Sequence, residues 1–414
     1  MALFIDLSQK NGHKPNVCLR KKPKQLVYTE IHRNFAPVIN RNELMIKLRE
    51  MKKLMMVITV ALLATVTAQA QRIRTIDKDG NPIPYVSIMT TDAKYIGITD
   101  LEGVIADVKG ADTITVSHIA YKPKLYKVNG KSGSITLEDA DFGLPEIVVK
   151  KKPYVYVQTY YRMLYYDDSL GVAYYRAGLT DNVIERAKKK LSANTNHTSK
   201  AKYGVLKVAI NTLIGGRMDQ LSEIRMEKLE KKIEKKSGKR YKITPNGENK
   251  KLISDDKGTV GSITDNQTTG ERCFSFDYHK MAQHELEATG NAKKIAKEEK
   301  REAKYKNRQN SDYYIYRIDE KGNYLPEDFV MMQDITNYDK EEKDGKLVHT
   351  VMILQVFTTD RAYVDKEELK KLKKENKMKM NYQNIRNFEK AHKIPALVPN
   401  IQKKLNELWK ADVE

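Results

Sequence analysis

The sequence predicts an all-β sandwich followed by an α+β domain that is built on an antiparallel sheet. Three patterns favour this fold class: short β-prone runs between turn residues at positions 72–137, a tyrosine-rich pair of long strands from Pro153, and an apolar helical face near the C-terminus. The chain has 414 residues, enough for two or three domains, and 40% of them are apolar. This composition excludes a wholly disordered chain.

Residues 51–70 have the three parts of a secretory signal peptide. A basic start at Met51 is followed by an apolar run, Leu54–Val66, and by the small residues of Ala68-Gln69-Ala70. The run is shorter than the roughly 20 apolar residues that span a bilayer. We therefore expect export with cleavage after Ala70. The upstream residues 1–50 are expected to be an extension that is disordered or not translated.

The charge balance remains basic after this segment is removed. The chain has 75 Lys and Arg against 54 Asp and Glu, a formal charge of +21. Residues 1–70 contain 12 basic and four acidic residues, so residues 71–414 keep a charge of about +13. Of the two cysteines, only Cys273 remains, which leaves no pair for an internal disulfide.

Strand and turn signals alternate in the first predicted domain. Asp77–Pro82 is expected to form a turn, because Asp-Gly and Asn-Pro suit tight backbone geometry. The expected strands are Ile83–Ile88, a strand-turn-strand unit over Tyr95–Val104, Thr113–Ser117 and Ser134–Leu137. Regular spacing without an intervening helix is typical of a small sandwich.

Three ordered motifs in this region resemble a known family. They are Asp-Gly-x-Pro-Ile-Pro-Tyr-Val-Ser-Ile at Asp79–Ile88, Gly-Ile-Thr-Asp-x-Glu-Gly at Gly97–Gly103 and Ile-Thr-Val-Ser-His-Ile-Ala-Tyr at Ile114–Tyr121. Together they resemble the carboxypeptidase-regulatory-like domain, a transthyretin-like (prealbumin-like) sandwich common in Bacteroidetes envelope proteins. Ala120 stands where the family usually has glycine.

The resemblance implies a sandwich over residues 71–140, a linker over 141–152 and a second domain over 153–414. In the family this domain is an accessory docking or binding module that has no zinc ligands of its own. Some relatives carry it before an outer-membrane transporter, but the 262 residues after Lys152 are too few for a plug and a large barrel. His118 is expected to be packed or half-exposed in its strand, without a functional role.

Tyrosines are concentrated at the start of the second domain. Pro153–Tyr166 is expected to form one long strand that pairs with Gly171–Leu179. Two interpretations remain open. The simpler is a twisted sheet with one aromatic face, and the other is a groove in which Tyr156, Tyr160 and Tyr174 stack on sugar rings or lipid.

Further elements are expected along the second domain. The run Leu347–Phe357 is apolar on both faces, which predicts a central strand. Ser237–Thr269 is expected to be mostly loop around one short hairpin. The other expected strands are Tyr203–Ala209, Arg240–Thr244, Cys273–Tyr278, Tyr313–Ile318 and Phe329–Thr336, and the expected helices are Asp219–Lys235 and the C-terminal segment with Ile401, Leu405, Leu408 and Trp409.

Residues 291–310 form a basic segment that is helix-prone but polar nearly all round. The simpler interpretation is a solvated helix or a disordered arm. The functional alternative is contact with a polyanion through Lys293, Lys294, Lys297, Lys300 and Arg301. Nucleic acid is the less favoured polyanion, because aromatic residues are sparse where the lysines are dense.

One constellation resembles a metal site. His284 and Glu287 have the His-x-x-Glu spacing that carboxypeptidases use for two zinc ligands; His279 lies nearby, and His349 or His392 would have to supply a third ligand. Ala288 breaks the His-Glu-x-x-His pattern of the zincins. A zinc-dependent hydrolase is therefore only an alternative, and we expect no catalytic residue and no cofactor.

The function expected from the sequence is that of a non-enzymatic exported protein, periplasmic or associated with the outer membrane. Its expected partners are envelope proteins or glycans, with weak contact to anionic lipid or lipopolysaccharide. A basic polyanion-binding protein is a further alternative.

Overall fold

The computed structural model describes residues 49–56, 72–106, 108, 110–130, 132–143, 151–169, 171–187, 190–203, 241–342, 344–375 and 382–411. The chain separates into two compact units, Met1–Gln69 and Ala70–Glu414. In the first unit, residues 49–56 are helical, whereas the rest of the predicted signal peptide and the extension before it lie outside the described residues. Within the described ranges, no helix is long and apolar enough to cross a bilayer.

Seven short strands form two sheets at the start of the second unit. They are β1 (Arg72–Ile76), β2 (Ser87–Thr90), β3 (Tyr95–Ile98), β4 (Val104–Ala106), β5 (Thr113–His118), β6 (Tyr121–Lys127) and β7 (Gly133–Thr136). One sheet has the order β4-β1-β7 and the other the order β3-β2-β5-β6. Ile73 and Ile135 of the first sheet and Ile88 and Val116 of the second are buried in one apolar cluster. The two sheets therefore pack face to face, and we call residues 72–140 the sandwich region.

The β-rich character of this region is confirmed, with shifted strand boundaries and with β1 and β6 in addition to the expected strands. The strand expected over Ile83–Ile88 begins only at Ser87. Pro84 has no backbone N–H to donate to a neighbouring strand, and Tyr85 adopts a positive φ of 57°. The transthyretin-like identity of the sandwich region stays a prediction.

The turn between β3 and β4 requires glycine at position 103. Asp100 begins this turn, and its Oδ1 accepts hydrogen bonds from the backbone N–H groups of Glu102 and Val104 at 2.9 and 2.8 Å. Gly103 has a φ of +70°, and a Cβ atom there would lie 2.6 Å from the Thr75 carbonyl oxygen and 2.9 Å from that of Ile83. Both the backbone conformation and the close approach exclude a side chain.

We expect Gly103→Ala to lower the free energy of unfolding by about 1–3 kcal/mol, because it combines an unfavourable φ with a steric clash. Urea denaturation of the variant measures this loss. Gly110→Ala is the matched control, since Gly110 has a φ of +80° but no atom within 4 Å of the added Cβ. Equal losses in the two variants would show that the contact with Thr75 and Ile83 contributes nothing.

A ten-stranded antiparallel sheet dominates the rest of the unit. Its strands are β8 (Tyr154–Asp167), β9 (Gly171–Glu185), β10 (Lys190–Tyr203), β11 (Lys242–Pro245), β12 (Lys250–Asp255), β13 (Gly258–Asn266), β14 (Glu271–Asp277), β15 (Tyr305–Arg317), β16 (Phe329–Glu341) and β17 (Leu347–Val364). The order is β10-β9-β8-β17-β16-β15-β14-β13-β12-β11. The apolar strand β17 lies between β8 and β16, so the prediction of a central strand is confirmed.

Five helices accompany the sheet within the described part of this unit. They are α1 (Tyr278–Thr289), α2 (Ala292–Lys304), α3 (Lys366–Glu375), α4 (Tyr382–Ala391) and α5 (Pro399–Ala411). The predicted C-terminal helix is confirmed, and its Ile401 and Leu405 are buried. The helix expected at Asp219–Lys235 lies outside the described residues, as does most of the strand expected at Tyr203–Ala209.

The segment Ser237–Thr269 contains more strand than its composition suggested. Three strands, β11, β12 and β13, occupy its described part instead of one short hairpin. Gly247 and Gly258 adopt positive φ values of 100° and 134° near the two tight connections. Consecutive hairpins join β12, β13 and β14, and the apolar residues Val260 and Ile263 of β13 are buried although the segment as a whole is polar.

The sandwich region and the ten-stranded sheet share one apolar core. A single cluster of buried side chains includes Met89 and Ile119 from the sandwich region, Tyr160 and Phe357 from the sheet, and Ile401 from α5. Burial of each such side chain contributes about 1.5–3 kcal/mol. The sandwich region is therefore held against this face of the sheet together with the C-terminal helices.

A buried polar network links the sheet to α4. Glu389 Oε1 accepts hydrogen bonds from the Tyr160 hydroxyl at 2.8 Å and from Arg162 Nη1 at 3.0 Å. Arg386 pairs with the other carboxylate oxygen of Glu389. Arg162 Nε also donates to Gln355 Oε1 at 2.7 Å, and both Arg162 and Glu389 are 3% exposed. Such a pair is stable only when its hydrogen bonds are satisfied, as they are here.

Candidate functional site

The three candidate tyrosines do not form one ligand face. Tyr156, Tyr160 and Tyr174 are at most 1% exposed and belong to three different apolar clusters. Tyr156 donates to Asp181 Oδ1 at 2.6 Å, and Tyr160 donates to Glu389. This geometry gives no support to the aromatic groove, which the sequence left open beside a sheet with one aromatic face. Alternation along the strands divides the rings between the two sheet faces, and other side chains cover both faces.

The covering layers differ for each ring. Tyr156 lies in the cluster against which Leu369 and Leu372 of α3 pack. Tyr160 contacts Phe388 of α4, with ring centres 5.5 Å apart. Tyr174 lies on the opposite face, in the cluster that also contains Phe274 of β14. Side chains from the helices and from other strands bury these tyrosines, and those contacts cannot be read from the tyrosine pattern alone.

The candidate metal ligands point to separate partners. His284 Nδ1 lies 2.6 Å from Asp255 Oδ2, and His279 Nε2 lies 3.6 Å from Glu302 Oε1. Glu287 forms an ion pair with Lys257. In the part of the chain that the structure describes, no group of three or more His, Cys, Asp or Glu side chains is arranged to hold a metal ion.

The two candidate third ligands also have partners of their own. His349 Nδ1 lies 2.5 Å from Asp339 Oδ1, and its ring stacks on Tyr95 at 5.1 Å. His392 Nδ1 lies 3.0 Å from the Phe388 carbonyl oxygen, to which it can donate. Geometry therefore gives no support to the zinc-hydrolase alternative.

The His284–Asp255 pair has an electrostatic consequence within the protein. Burial alone would raise the pKa of the Asp255 carboxyl. Hydrogen bonds from His284 and from the backbone N–H groups of Lys257 and Gly258 outweigh burial and hold the pKa of Asp255 below its ordinary value. The pair fixes α1 against the β12–β13 connection, which is a positioning role.

The predicted basic residues lie together on the exposed helix α2. Asn291 caps the helix, and its side chain accepts a hydrogen bond from the backbone N–H of Lys294. Three half-buried residues face the rest of the unit: Ile295, Glu298 and Glu302. Glu298 pairs with Arg308 of β15 at 2.8 Å. The acidic residues thus hold the helix in place, while the five candidate cations, Lys293, Lys294, Lys297, Lys300 and Arg301, face solvent.

About three turns of α2 build one wall of a shallow surface depression of about 490 Å³, which we call the basic groove. Its lining residues are Leu286, Lys294, Lys297, Glu298, Lys300, Arg301, Lys304 and Tyr305. Residues 294, 297, 301 and 304 follow each other by three or four positions, so they share one helix face. Among the described residues, no ion-pair partner faces the ammonium groups of Lys294, Lys297 or Lys300.

Four lining residues of the basic groove are not among the cations predicted from the sequence: Leu286, Glu298, Lys304 and Tyr305. Lys304 continues the helical spacing of Lys297 and Arg301, so the periodicity could have identified it. Tyr305 is the first residue of β15, where we had expected the basic segment to continue to Asn310. The Lys304 Nζ atom lies 5.2 Å from the Tyr305 ring centre, and the Tyr305 ring meets that of Tyr338 at 4.9 Å. An aromatic ring therefore borders the cations after all.

Comparison with known proteins adds no family to this description. No family model matches the chain, and no curated protein is similar to it. The function is therefore inferred from the residues and their geometry.

Proposed function

We propose that this chain is an exported, non-enzymatic binding protein of the cell envelope that associates with anionic surfaces through the basic groove. The observation that carries this proposal is the row of cations along one face of α2, where Lys294 and Lys297 have no ion-pair partner among the described residues and Arg301 pairs with Glu298 at 3.7 Å. Uncompensated lysines repel each other, so their alignment costs stability unless an anion is bound. Anionic lipid headgroups and lipopolysaccharide are the polyanions that an exported protein meets.

The signal-peptide pattern of residues 51–70 supports export, and the resemblance of the sandwich region to carboxypeptidase-regulatory-like domains supports an envelope location. In this proposal the sandwich region is a docking module. The shared core supports a fixed orientation of that module against the ten-stranded sheet. A partner bound to the sandwich region would then be held at a constant distance from the membrane surface.

The expected affinity is modest and salt-dependent. A lysine close to an anionic surface contributes about 1 kcal/mol, and the electrostatic range falls from about 10 Å at 0.1 M salt to about 3 Å at 1 M. The residues from Lys294 to Lys304 span about 15 Å along the helix axis, which matches a row of headgroups better than one phosphate.

Replacement of the five α2 cations by glutamine tests the proposal. We expect the variant to lose at least about tenfold in affinity for phosphatidylglycerol-containing vesicles, measured by co-sedimentation at low salt. The matched control replaces five lysines of α3 by glutamine: Lys366, Lys370, Lys371, Lys373 and Lys374. Both variants lose the same charge, so only a groove-specific contact separates them.

The control should retain most of its binding to vesicles and to lipopolysaccharide. Equal losses in the two variants would show that net charge, not the basic groove, determines the association. Undiminished binding of the α2 variant, or of the unaltered chain at about 1 M salt, would contradict the electrostatic basis.

A further inference from the structure

A second, larger cavity lies where the sandwich region meets the ten-stranded sheet. Its volume is about 580 Å³, within the range of small-molecule sites. The β3–β4 turn forms one wall with Ile98, Asp100 and Glu102. Strands β12–β15 and the start of α1 form the other wall, which includes Leu252 and Asp277. We call this cavity the interlayer cleft; it shares no lining residue with the basic groove.

Two buried hydroxyl groups on the lining of the cleft lack hydrogen-bond partners. Tyr85 is 5% exposed and Ser311 is 3% exposed, and neither hydroxyl has a partner among the described residues. A buried polar group without a partner costs about 1–3 kcal/mol, so such groups are rare without a ligand or an ordered water. Tyr85 also adopts a φ of +57°, which is strained for a bulky residue and holds its ring in this lining.

The charges around the cleft disfavour an anion. Asp100, Glu102 and Asp277 supply three carboxylates, whereas Lys280 is the one cation among the described lining residues. Lys250 Nζ lies 3.2 Å from Glu102 Oε1 and neutralises part of the charge of that carboxylate. Burial raises the pKa of Tyr85, and the nearby carboxylates of Asp277 and other residues raise it further. A neutral or cationic ligand therefore fits this environment in an otherwise basic protein.

The polar groups are held in place but keep bonding capacity. One oxygen of Asp277 accepts the backbone N–H of Lys280 at 2.9 Å, and one oxygen of Asp100 caps the β3–β4 turn. Each carboxylate keeps its second oxygen as an acceptor. Lys280 Nζ donates to the Thr259 carbonyl oxygen at 2.8 Å and has two further donors.

We propose that the interlayer cleft binds a neutral, polyhydroxylated molecule of one or two sugar rings. A sugar hydroxyl can accept a hydrogen bond from Tyr85 or Ser311 and donate one to Asp277. An ammonium group can only donate, so it would leave the lysine and hydroxyl donors without acceptors. The apolar side chains Ile98 and Leu252 provide surface for the C–H faces of a ring.

The test uses the full chain and a defined panel of probes. Glucose, maltose, N-acetylglucosamine and N,N′-diacetylchitobiose represent neutral sugars, and choline and citrate represent cations and anions. We expect saturation-transfer NMR and calorimetry to detect millimolar or tighter binding of at least one neutral sugar and none of choline or citrate. Failure of all four sugars, or preference for choline or citrate, would overturn the proposal.

Variants locate the site. Tyr85→Phe combined with Ser311→Ala removes both hydroxyls and should weaken binding of the sugar about tenfold, the effect of one or two lost hydrogen bonds. Tyr95→Phe is the matched control, because Tyr95 is buried in the sandwich region but does not line the cleft. Unchanged affinity in the double variant would place the sugar elsewhere and contradict the proposal.

Two controls separate a loss of sugar binding from a loss of folding and from a loss of vesicle binding. Removing two unpartnered hydroxyls should leave the thermal midpoint unchanged or raise it, and Ser311→Ala alone provides a milder second variant. The α2 glutamine variant should bind the sugar with unaltered affinity. Loss of sugar binding in that variant would contradict the independence of the two sites.

Discussion

Replacement of Glu389 by glutamine is expected to lower the free energy of unfolding by about 3–5 kcal/mol. The change keeps the shape of the side chain but removes its charge. Arg162, which is 3% exposed, would then have no carboxylate beside it. Glutamine replaces one carboxylate oxygen by an NH2 group, and this donor would face the N–H donors of either Arg386 or Arg162. Urea or thermal denaturation measures the loss.

Glu368→Gln is the matched control for this prediction. Glu368 is also paired with a cation, Lys152, but half of its side chain is exposed to solvent. Water screens that pair, so the same substitution should cost only a small fraction of the Glu389 loss. Similar effects of the two substitutions would contradict the structural role of the Arg162–Glu389 pair.

Acid is expected to destabilise the protein through His118. Burial lowers the pKa of His118 to about 3, whereas the unfolded chain has an ordinary value of about 6.5. Below about pH 6.5 the unfolded chain therefore binds a proton that the folded chain does not bind, and stability falls as the pH decreases. Between about pH 6.5 and pH 4 this contribution amounts to about 3 kcal/mol.

The geometry around His118 explains why it stays neutral. Its Nδ1 atom accepts a hydrogen bond from the Ala120 backbone N–H at 3.2 Å, and its ring contacts Tyr121 and Tyr313 at 5.4 and 4.5 Å. The residue is 2% exposed where the sandwich region meets the sheet. A proton on both nitrogens would remove the acceptor and place a charge in this desolvated site.

His118→Phe isolates the effect, because phenylalanine keeps an aromatic ring but does not titrate. We expect the unfolding free energy of the original chain, relative to that of the variant, to fall by about 3 kcal/mol from about pH 6.5 to pH 4. Other groups titrate in both proteins and cancel in this difference. A difference that stays constant with pH would show that His118 becomes protonated in the folded state.

Local patterns in the sequence predicted much of the β structure. The two long strands from Tyr154 and Gly171, the interior position of β17 and the amphipathic C-terminal helix follow from alternation and helical periodicity. Overall composition was a poor guide in Ser237–Thr269. Its Gly, Asn, Ser and Asp content predicted mostly loop around one short hairpin, whereas hairpins join β12, β13 and β14 and bury Ile253, Val260 and Ile263.

The candidate sites also differ in how much of each could be predicted from the sequence. The stripe of cations on α2 is a local property, so the sequence identified four cations that line the basic groove, Lys294, Lys297, Lys300 and Arg301, whereas the predicted Lys293 is not among its lining residues. The interlayer cleft brings Tyr85 together with Asp277 and Ser311, which are roughly 200 residues away in the chain. The Arg162–Glu389 pair joins residues 227 positions apart. No periodicity connects such residues: the docking of the sandwich region on the sheet assembles the cleft, and the packing of α4 on the sheet joins Arg162 to Glu389.

A fluorophore on α2 tests contact between the basic groove and an anionic surface most directly. Ala296→Cys in a chain that carries Cys18→Ser introduces an exposed thiol without removing a lysine. Cys273 should not compete for the label, because burial raises the pKa of its thiol to about 12. A label at Glu367→Cys on the lysine-rich helix α3 is the control.

We predict that phosphatidylglycerol vesicles shift the emission of the label on α2 at low salt. The label on α3 should change little, and both spectra should return to their vesicle-free form at about 1 M salt. Equal shifts at the two positions, or a shift on α2 that persists at about 1 M salt, would contradict the proposed contact through the basic groove.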